Sequence, residues 1–286
     1  MTAAGSVHFH RDDTEDCGWP ASARIEVPQD ARPGLYAAHL EGDETHDLPF
    51  VVRGVGEVCL LVPTLTWQAY SNLGRDSSWP GPAQYARHTD DSPVVITTAL
   101  RPTPTFAPDA RLEVEAGDGF AAGGVATHLM QADLYAWWWL SQEFPDRAGV
   151  LDDRELHHRG ADALAGVKVL VLSAHPEYWT GAMLDALHGH LNRGGGVVYL
   201  GGNGLYWVTS LHPTKPHLME VRRWGGSQTW SVEEHDRRHQ FEACQGGLWA
   251  EAGRPPNDSV GVGFAGFGSG PSLEYVRTAA SYEPQW

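Results

Sequence analysis

The chain has 286 residues, a formal net charge of -16 and 42% hydrophobic residues, enough to bury a core in one large domain or two small ones. That acidic surplus argues against a phosphate backbone or an anionic membrane surface as partner. No apolar run reaches the roughly 18 residues of a membrane span, and the N-terminus lacks the basic-then-apolar order of a signal peptide, so the chain is expected to be cytoplasmic.

In chain order, residues 1–54 read as a small β-rich, sandwich-like module. Ala23–Val27 alternates, Pro28–Gly34 is turn chemistry, and Leu35–Leu40 and Leu48–Arg53 supply further strands. An α/β domain is expected over 55–286, opening with the buried strand Val58–Val62, which stops at Pro63. The polar and aromatic group Thr64–Asn72 follows. From Leu73 to about Ala122 the composition is rich in Pro, Gly, Asp and Ser, with only Val94–Leu100 strand-like, which reads as a long surface excursion. A helix is predicted from about Thr127, with His128, Leu129, Ala132, Tyr135, Ala136 and Leu140 on one face and Trp137 to Trp139 widening it. Asp152–Leu164 is a second helix; its His157-His158 pair is adjacent, so it cannot grip one metal from a helix face.

The stretch Val167–Leu172 has the β-branched pattern of a strand buried on both faces of a parallel sheet. Pro176 ends it, and Thr180 is a good N-cap for a helix through Met183, Leu184, Leu187 and Leu191 that Gly194 stops. His175, Glu177 and Tyr178 therefore fall at the carboxyl end of a strand, where open α/β sheets place ligands. The next strand, Val197–Leu200, delivers Gly201 to Trp207 to the same edge, and Val260–Phe264 reads as a last short strand.

Several chemistries are absent from these positions. Cys17, Cys59 and Cys244 form neither a disulfide framework nor a zinc knuckle. There is no G-x-S-x-G elbow, and Gly201-Gly-Asn-Gly204 lacks the Lys and Ser/Thr of a phosphate loop. The strand-to-helix elbow holds His175, Glu177 and Tyr178 rather than the nucleophilic Cys of a class I amidotransferase sheet. Phenolate and carboxylate are hard donors, and a phenol with an ordinary pKa near 10 ligates only a cation that drives off its proton, ferric iron being the commonest. A tyrosine at a sheet edge is nevertheless more often a packing residue.

Ser173-Ala-His-Pro-Glu-Tyr-Trp179, Tyr199-Leu-Gly-Gly-Asn-Gly-Leu-Tyr-Trp207, Gly246-Gly-Leu-Trp249, Gly253-Arg-Pro-Pro256 and Val260-Gly-Val-Gly-Phe264 together resemble the large (beta) subunit of N,N-dimethylformamidase. His8–Asp13, Gly18-Trp19 and Leu48-Pro-Phe50 resemble the segment ahead of that family's α/β domain. The resemblance implies a mostly parallel, flavodoxin-like (class I glutamine amidotransferase-like) sheet. It also implies a mononuclear, ferric iron held by two tyrosines and one glutamate, and hydrolysis of a small tertiary formamide to formate and an amine. Carried over by motif, the metal ligands are Tyr178, Tyr135 and Glu242, with Tyr70 and Tyr206 left open as the second phenol. Glu242 is chosen because Cys244 stands where the resemblance implies a glutamate two residues before Gly-Gly-Leu-Trp. His175, Glu177 and His239 are the candidate catalytic groups, and Trp137 to Trp139, Trp179 and Trp207 a candidate apolar wall. A separate small subunit and a homo-oligomer are the implied protein partners. The family's sequence continues past Val-Gly-Val-Gly-Phe, so this chain, ending at Trp286, is expected to lack a C-terminal extension. The competing expectation is a non-catalytic or truncated relative that uses the sheet for binding or assembly.

Overall fold

The structure, a computed structural model, describes residues 24–42, 45–72, 83–88, 91–101, 103, 128–227, 229 and 234–266. An antiparallel hairpin comes first, β1 (Gly34–Glu41) and β2 (Thr45–Val52), paired from Gly34 with Val52 to Glu41 with Thr45. Then follow β3 (Val58–Val62), α1 (Thr64–Tyr70), β4 (Ile96–Thr98), α2 (Met130–Glu143), β5 (Ala148–Asp152) and α3 (Asp153–Arg159). α1 has no side-chain cap of its own. Asp153 supplies one from a distance, accepting from the Leu65 N–H at 2.8 Å and the Thr64 hydroxyl at 2.5 Å. Burial pushes the Asp153 carboxyl up to about 7.

The central stretch folds as its residues suggest, into β6 (Val169–Leu172), β7 (Tyr178–Trp179) and α4 (Gly181–Asn192). Thr180 caps α4 by accepting from the Met183 N–H at 3.3 Å. β8 (Gly196–Tyr199), β9 (Trp207–Leu211), β10 (Leu218–Val221) and the single turn α5 (Asn257–Val260) follow, with short 3-10 turns at Gly160–Leu164 and Glu234–Arg237 among the described residues.

Four strands form a parallel sheet in the order β5-β3-β6-β8. The chain places β5 on one side of β3 and β6 on the other, so the crevice beyond the carboxyl ends of β3 and β6 is the topological switch point of this sheet. A second sheet, in the order β4-β10-β9-β7, is antiparallel apart from the β7–β9 pair. That pair sets Tyr178 beside Trp207 and Trp179 beside Val208, and so ties the second sheet to the same crevice.

The side-chain period of two divides the core. Val58, Leu60 and Val62 of β3 face Val150, Val171, Trp67 and Leu140, with Leu35 and Val51 of the hairpin and Trp137 packed against them. Cys59 and Leu61 face the other way, among Leu151, Leu170, Leu172, Leu184 and Leu187. Full burial of each such aliphatic contributes about 1.5–3 kcal/mol, so the sheet is held from both faces. The approach to β3 also needs a bare backbone: a Cβ on Gly149 would lie 2.3 Å from the Gly56 nitrogen, and one on Gly56 2.3 Å from the Arg147 carbonyl oxygen.

Three expectations are corrected. Arg24–Val27 is not a strand: Ile25 and Val27 are exposed and no neighbouring strand pairs with them. Val260–Phe264 is not a strand either, because α5 ends at Val260 and Gly261 adopts a left-handed φ of 77° that closes the helical turn. The segment after Leu73, read as a surface excursion, instead returns to the interior where it is described: Ala83, Gln84, Val94, Val95 and Ile96 are buried. Among the described residues no helix is long and apolar enough to cross a membrane, and Cys59 and Cys244 are free thiols.

Candidate active site

Three segments meet at the crevice. α1 ends in Tyr70, 4% exposed. The segment carrying Tyr85 is pinned to α1 by the Gln84 N–H donating to the Ala69 carbonyl at 2.8 Å, and to β4's approach by the Gln84 side-chain amide donating to the Val94 carbonyl at 2.7 Å. The loop leaving β6 brings His175 and Glu177. Its backbone is fixed: the Glu177 N–H donates to Thr66 Oγ1 at 3.2 Å, and its carbonyl accepts from the Tyr206 and Trp207 N–H groups at 3.0 and 3.1 Å. Gly201, just past β8, presses against the same loop; a Cβ there would lie 2.4 Å from the carbonyl oxygens of Ser173 and Ala174.

Glu177, 2% exposed, is the centre of the cluster. Tyr70 Oη donates to Glu177 Oε2 at 2.9 Å, and Tyr85 Oη donates to Oε1 at 3.3 Å. The two phenol oxygens are 2.6 Å apart. The Trp207 indole N–H donates to Oε1 at 3.0 Å, and His175 Nε2 is 2.9 Å from Oε2. Tyr178 stands one bond further out, its hydroxyl donating to Tyr85 Oη at 2.9 Å. The rings are capped as well: the His128 imidazole stacks on Tyr70 at 3.4 Å, and the Arg223 guanidinium lies over the Tyr85 ring at 3.8 Å.

Burial sets the protonation of this cluster. Tyr70 and Tyr178 are pushed well above the ordinary phenol range by desolvation first and by the Glu177 charge second. Tyr85 is raised by the same two causes, against an opposing pull from Arg223. As drawn, the phenols are therefore neutral donors around one carboxylate, and only an added cation would make their anions stable. His128 is pushed down to about 3, by burial and then by His175, so it is a neutral ring. Asp133 of α2 is raised to about 6 by burial, opposed by the Trp67 indole N–H at 2.8 Å and by Ser173 and the Ala174 N–H, which ties α2 to the loop after β6.

Of the residues singled out from the sequence, the structure brings His175, Glu177, Tyr178, Tyr70 and Trp207 together and places Tyr135, Glu242 and His239 elsewhere. Tyr135 lies on α2 and is 71% exposed, so water surrounds its ring. Glu242 and His239 gather around Ser210: Glu242 bonds to its hydroxyl and the Leu211 backbone, and His239 Nδ1 is 2.7 Å from Ser210 Oγ. Cys244 Sγ is 3.6 Å from the same oxygen. Ser210 is three positions after Trp207 on β9, and alternation turns it to the opposite face of that strand from the indole that meets Glu177. His239 is 2% exposed, and burial holds it neutral, down to about 3. Trp138 and Trp139 are exposed, and Trp179 gives its indole N–H to the Pro176 carbonyl, so Trp207 is the member of the proposed aromatic wall that touches Glu177.

Tyr85 has no periodic element to mark it, and the spacing that puts His128 on a helix face hides its place, because the helix begins at Met130 and His128 precedes it. Tyr70 had a signal: it closes the polar, aromatic group at the carboxyl end of β3, the same edge that carries His175 and Glu177. Among the described residues no three His, Cys, Asp or Glu side chains converge on a metal position. The oxygens that do converge are two phenols and one carboxylate.

Comparison with known proteins places the chain in a family. The N,N-dimethylformamidase beta subunit of Alcaligenes sp is 28% identical over 311 aligned residues, and that of Paracoccus aminophilus 27%. Each alignment covers 98% of this chain and 39% of the relative, so the chain spans about two fifths of the length of these curated relatives. A family model described as "N,N-dimethylformamidase beta subunit-like, C-terminal" matches residues 1–286. The chain belongs to the N,N-dimethylformamidase beta subunit-like, C-terminal family.

Proposed function

We propose that this chain carries the metal centre of an amide hydrolase acting on a small tertiary amide of the N,N-dimethylformamide type, with Tyr70, Tyr85 and Glu177 as the ligands of one ferric ion. The observation that carries the reading is the buried contact of two phenol oxygens with each other and with one carboxylate, at 2.6, 2.9 and 3.3 Å. The donor set fits the ion. Three hard oxygens, each anionic once the phenols lose their protons, neutralise a trivalent charge in a site that water barely reaches. This set has the composition implied by the family resemblance, two tyrosines and one glutamate. It replaces Tyr178, Tyr135 and Glu242 by residues that touch one another.

Ferric iron bound there would supply Lewis acidity toward an amide carbonyl and toward water. The remaining steps belong to side chains. His175 keeps Nε2 on Glu177 Oε2, and its side chain is 16% exposed, so Nδ1 is the group proposed to take the proton from attacking water and return it to the departing amine nitrogen. The Trp207 indole N–H holds Glu177 Oε1, and the Tyr178 hydroxyl holds Tyr85 Oη, which orients the two proposed ligands that lie outside helices.

The strand order β5-β3-β6-β8, with β3 first in sequence, is that of the first four strands of a flavodoxin-like sheet, and it supports the amidotransferase-like reading of the fold. The relatives' description as beta subunits supports a separate partner subunit. Protein from iron-replete cells is expected to hold near-stoichiometric iron and to show a visible phenolate-to-iron absorption, and Tyr70→Phe as isolated is expected to hold much less iron and to absorb correspondingly weakly. Full iron content and an unchanged spectrum in that variant would rule out this ligand set.

A further inference from the structure

We propose that Arg223 is a positioning residue that makes the two phenol ligands unequal, setting Tyr85 apart from Tyr70 as the poorer electron donor to the bound ion. The inference rests on the ferric reading of the site. It starts from what lies over each ring. The Arg223 guanidinium carbon is 3.8 Å from the Tyr85 ring centroid, and the side chain is 1% exposed. Tyr70 is instead covered by His128, a neutral ring, at 3.4 Å and an interplanar angle of 1°.

The two caps also come from different scaffolds. Arg223 follows β10, whose last residue is held to the Val95 carbonyl by its N–H at 2.9 Å, so the second sheet fixes the cation. His128 immediately precedes α2 and lies edge-on to His175 at 4.9 Å, so the parallel sheet and its helix fix the neutral cap. A cation over a ring face stabilises the π electrons, and the more so when both are desolvated. A phenolate donates to a metal through an oxygen orbital conjugated with that ring. Lowering its energy raises the energy of the ligand-to-metal transition, so the Tyr85 contribution lies at shorter wavelength than that of Tyr70.

The test reads the visible spectrum of iron-loaded protein together with its iron content. Arg223→Gln is expected to keep iron and to move the band to longer wavelength by roughly 20 nm, the scale of a cation–π interaction expressed as light energy. Arg223→Lys, which keeps the charge but not the planar stack, is expected to move it by less than half as much. Two further variants do not disturb the arginine: residual absorption is expected at longer wavelength in Tyr85→Phe than in Tyr70→Phe, each read at high iron to offset weakened binding. These two decide the matter if Arg223→Gln fails to fold. Equal residual bands, or a coloured Arg223→Gln with an unmoved band, overturn the inequality alone. Wild-type protein that takes up no iron overturns the metal reading, and this inference with it.

Discussion

Four carboxylates are buried among the described residues, and the surroundings of two of them, Glu220 and Glu177, could hardly be less alike. Glu220 of β10, 0% exposed, receives Arg222 Nε at 2.8 Å and the backbone N–H groups of Gln240 and Phe241 at 2.8–3.0 Å. Its charge is matched by a permanent cation and by amides that cannot ionise. Glu177 is as deeply buried but receives two phenols, an indole and an imidazole. The first arrangement is complete without any ligand and pins a loop to a sheet. The second sets two neutral phenols against one carboxylate, the donor set to which the proposed function assigns a cation.

The largest expected effect breaks the complete arrangement. Glu220→Ala leaves the Arg222 guanidinium, 2% exposed along its side chain, without its anion and is expected to cost about 3–5 kcal/mol in denaturant unfolding. Iron uptake per folded molecule should be unchanged. A loss under 1 kcal/mol would show the pair to be dispensable.

Acid sharpens the comparison with an intermediate effect. His239, beside Ser210 near Glu220, has its pKa lowered to about 3. The unfolded chain therefore binds a proton below about pH 6.5 that the folded chain refuses, and its contribution is lost as pH falls from there toward 3. His128 and His157, lowered to about 3 and about 4, act in the same direction. Asp153, which caps α1 ahead of Tyr70, is raised to about 7, and Asp133 to about 6. Their contributions are fully present below about pH 3.8 and are lost as pH rises from there through about 6 and about 7. Asp153→Asn removes one opposing group, so stability should fall more steeply from pH 7 to pH 5 than in wild type, by about 1.4 kcal/mol per pH unit. Denaturant midpoints at the two pH values check it, and an unchanged slope would contradict the assignment. The smallest effect belongs to neither carboxylate. Tyr135→Ala, at an exposed site on α2, should change stability by less than about 0.5 kcal/mol and leave the iron content alone.

Much of the parallel sheet is legible in the sequence because its information is local. β3 and β6 are continuous apolar runs, and the Thr180 cap and the glycine stop of α4 lie within the segment they bound. The second sheet is less legible: Val94–Leu100 reads as strand-like and holds β4, but β4 has three residues and β7 two, too few to show which strands pair. The site divides in the same way. His175 and Glu177 follow from a strand that ends in polar groups, but Glu177 was read as an acid or base beside Tyr178, whereas the fold puts Glu177 at the centre and Tyr178 outside it. Tyr85 comes from a stretch whose composition resembles a loop, and long-range backbone bonds to Ala69 and Val94 decide its place. Glu242 and Tyr135 depended on spacing along the chain, which says nothing of which face of β9 or α2 a neighbour occupies.

The most direct measurement compares Glu177→Gln with wild type for iron content and visible absorption after growth in iron-replete medium. The amide keeps the size of the side chain but has one acceptor oxygen, so it can accept from Tyr70 or from Trp207 and not from both, and metal-free stability should fall by about 1–3 kcal/mol. Iron occupancy should fall at least tenfold and the phenolate band should disappear. A Glu177→Gln protein that retains its iron and its colour, or a wild type that has neither, would contradict the account.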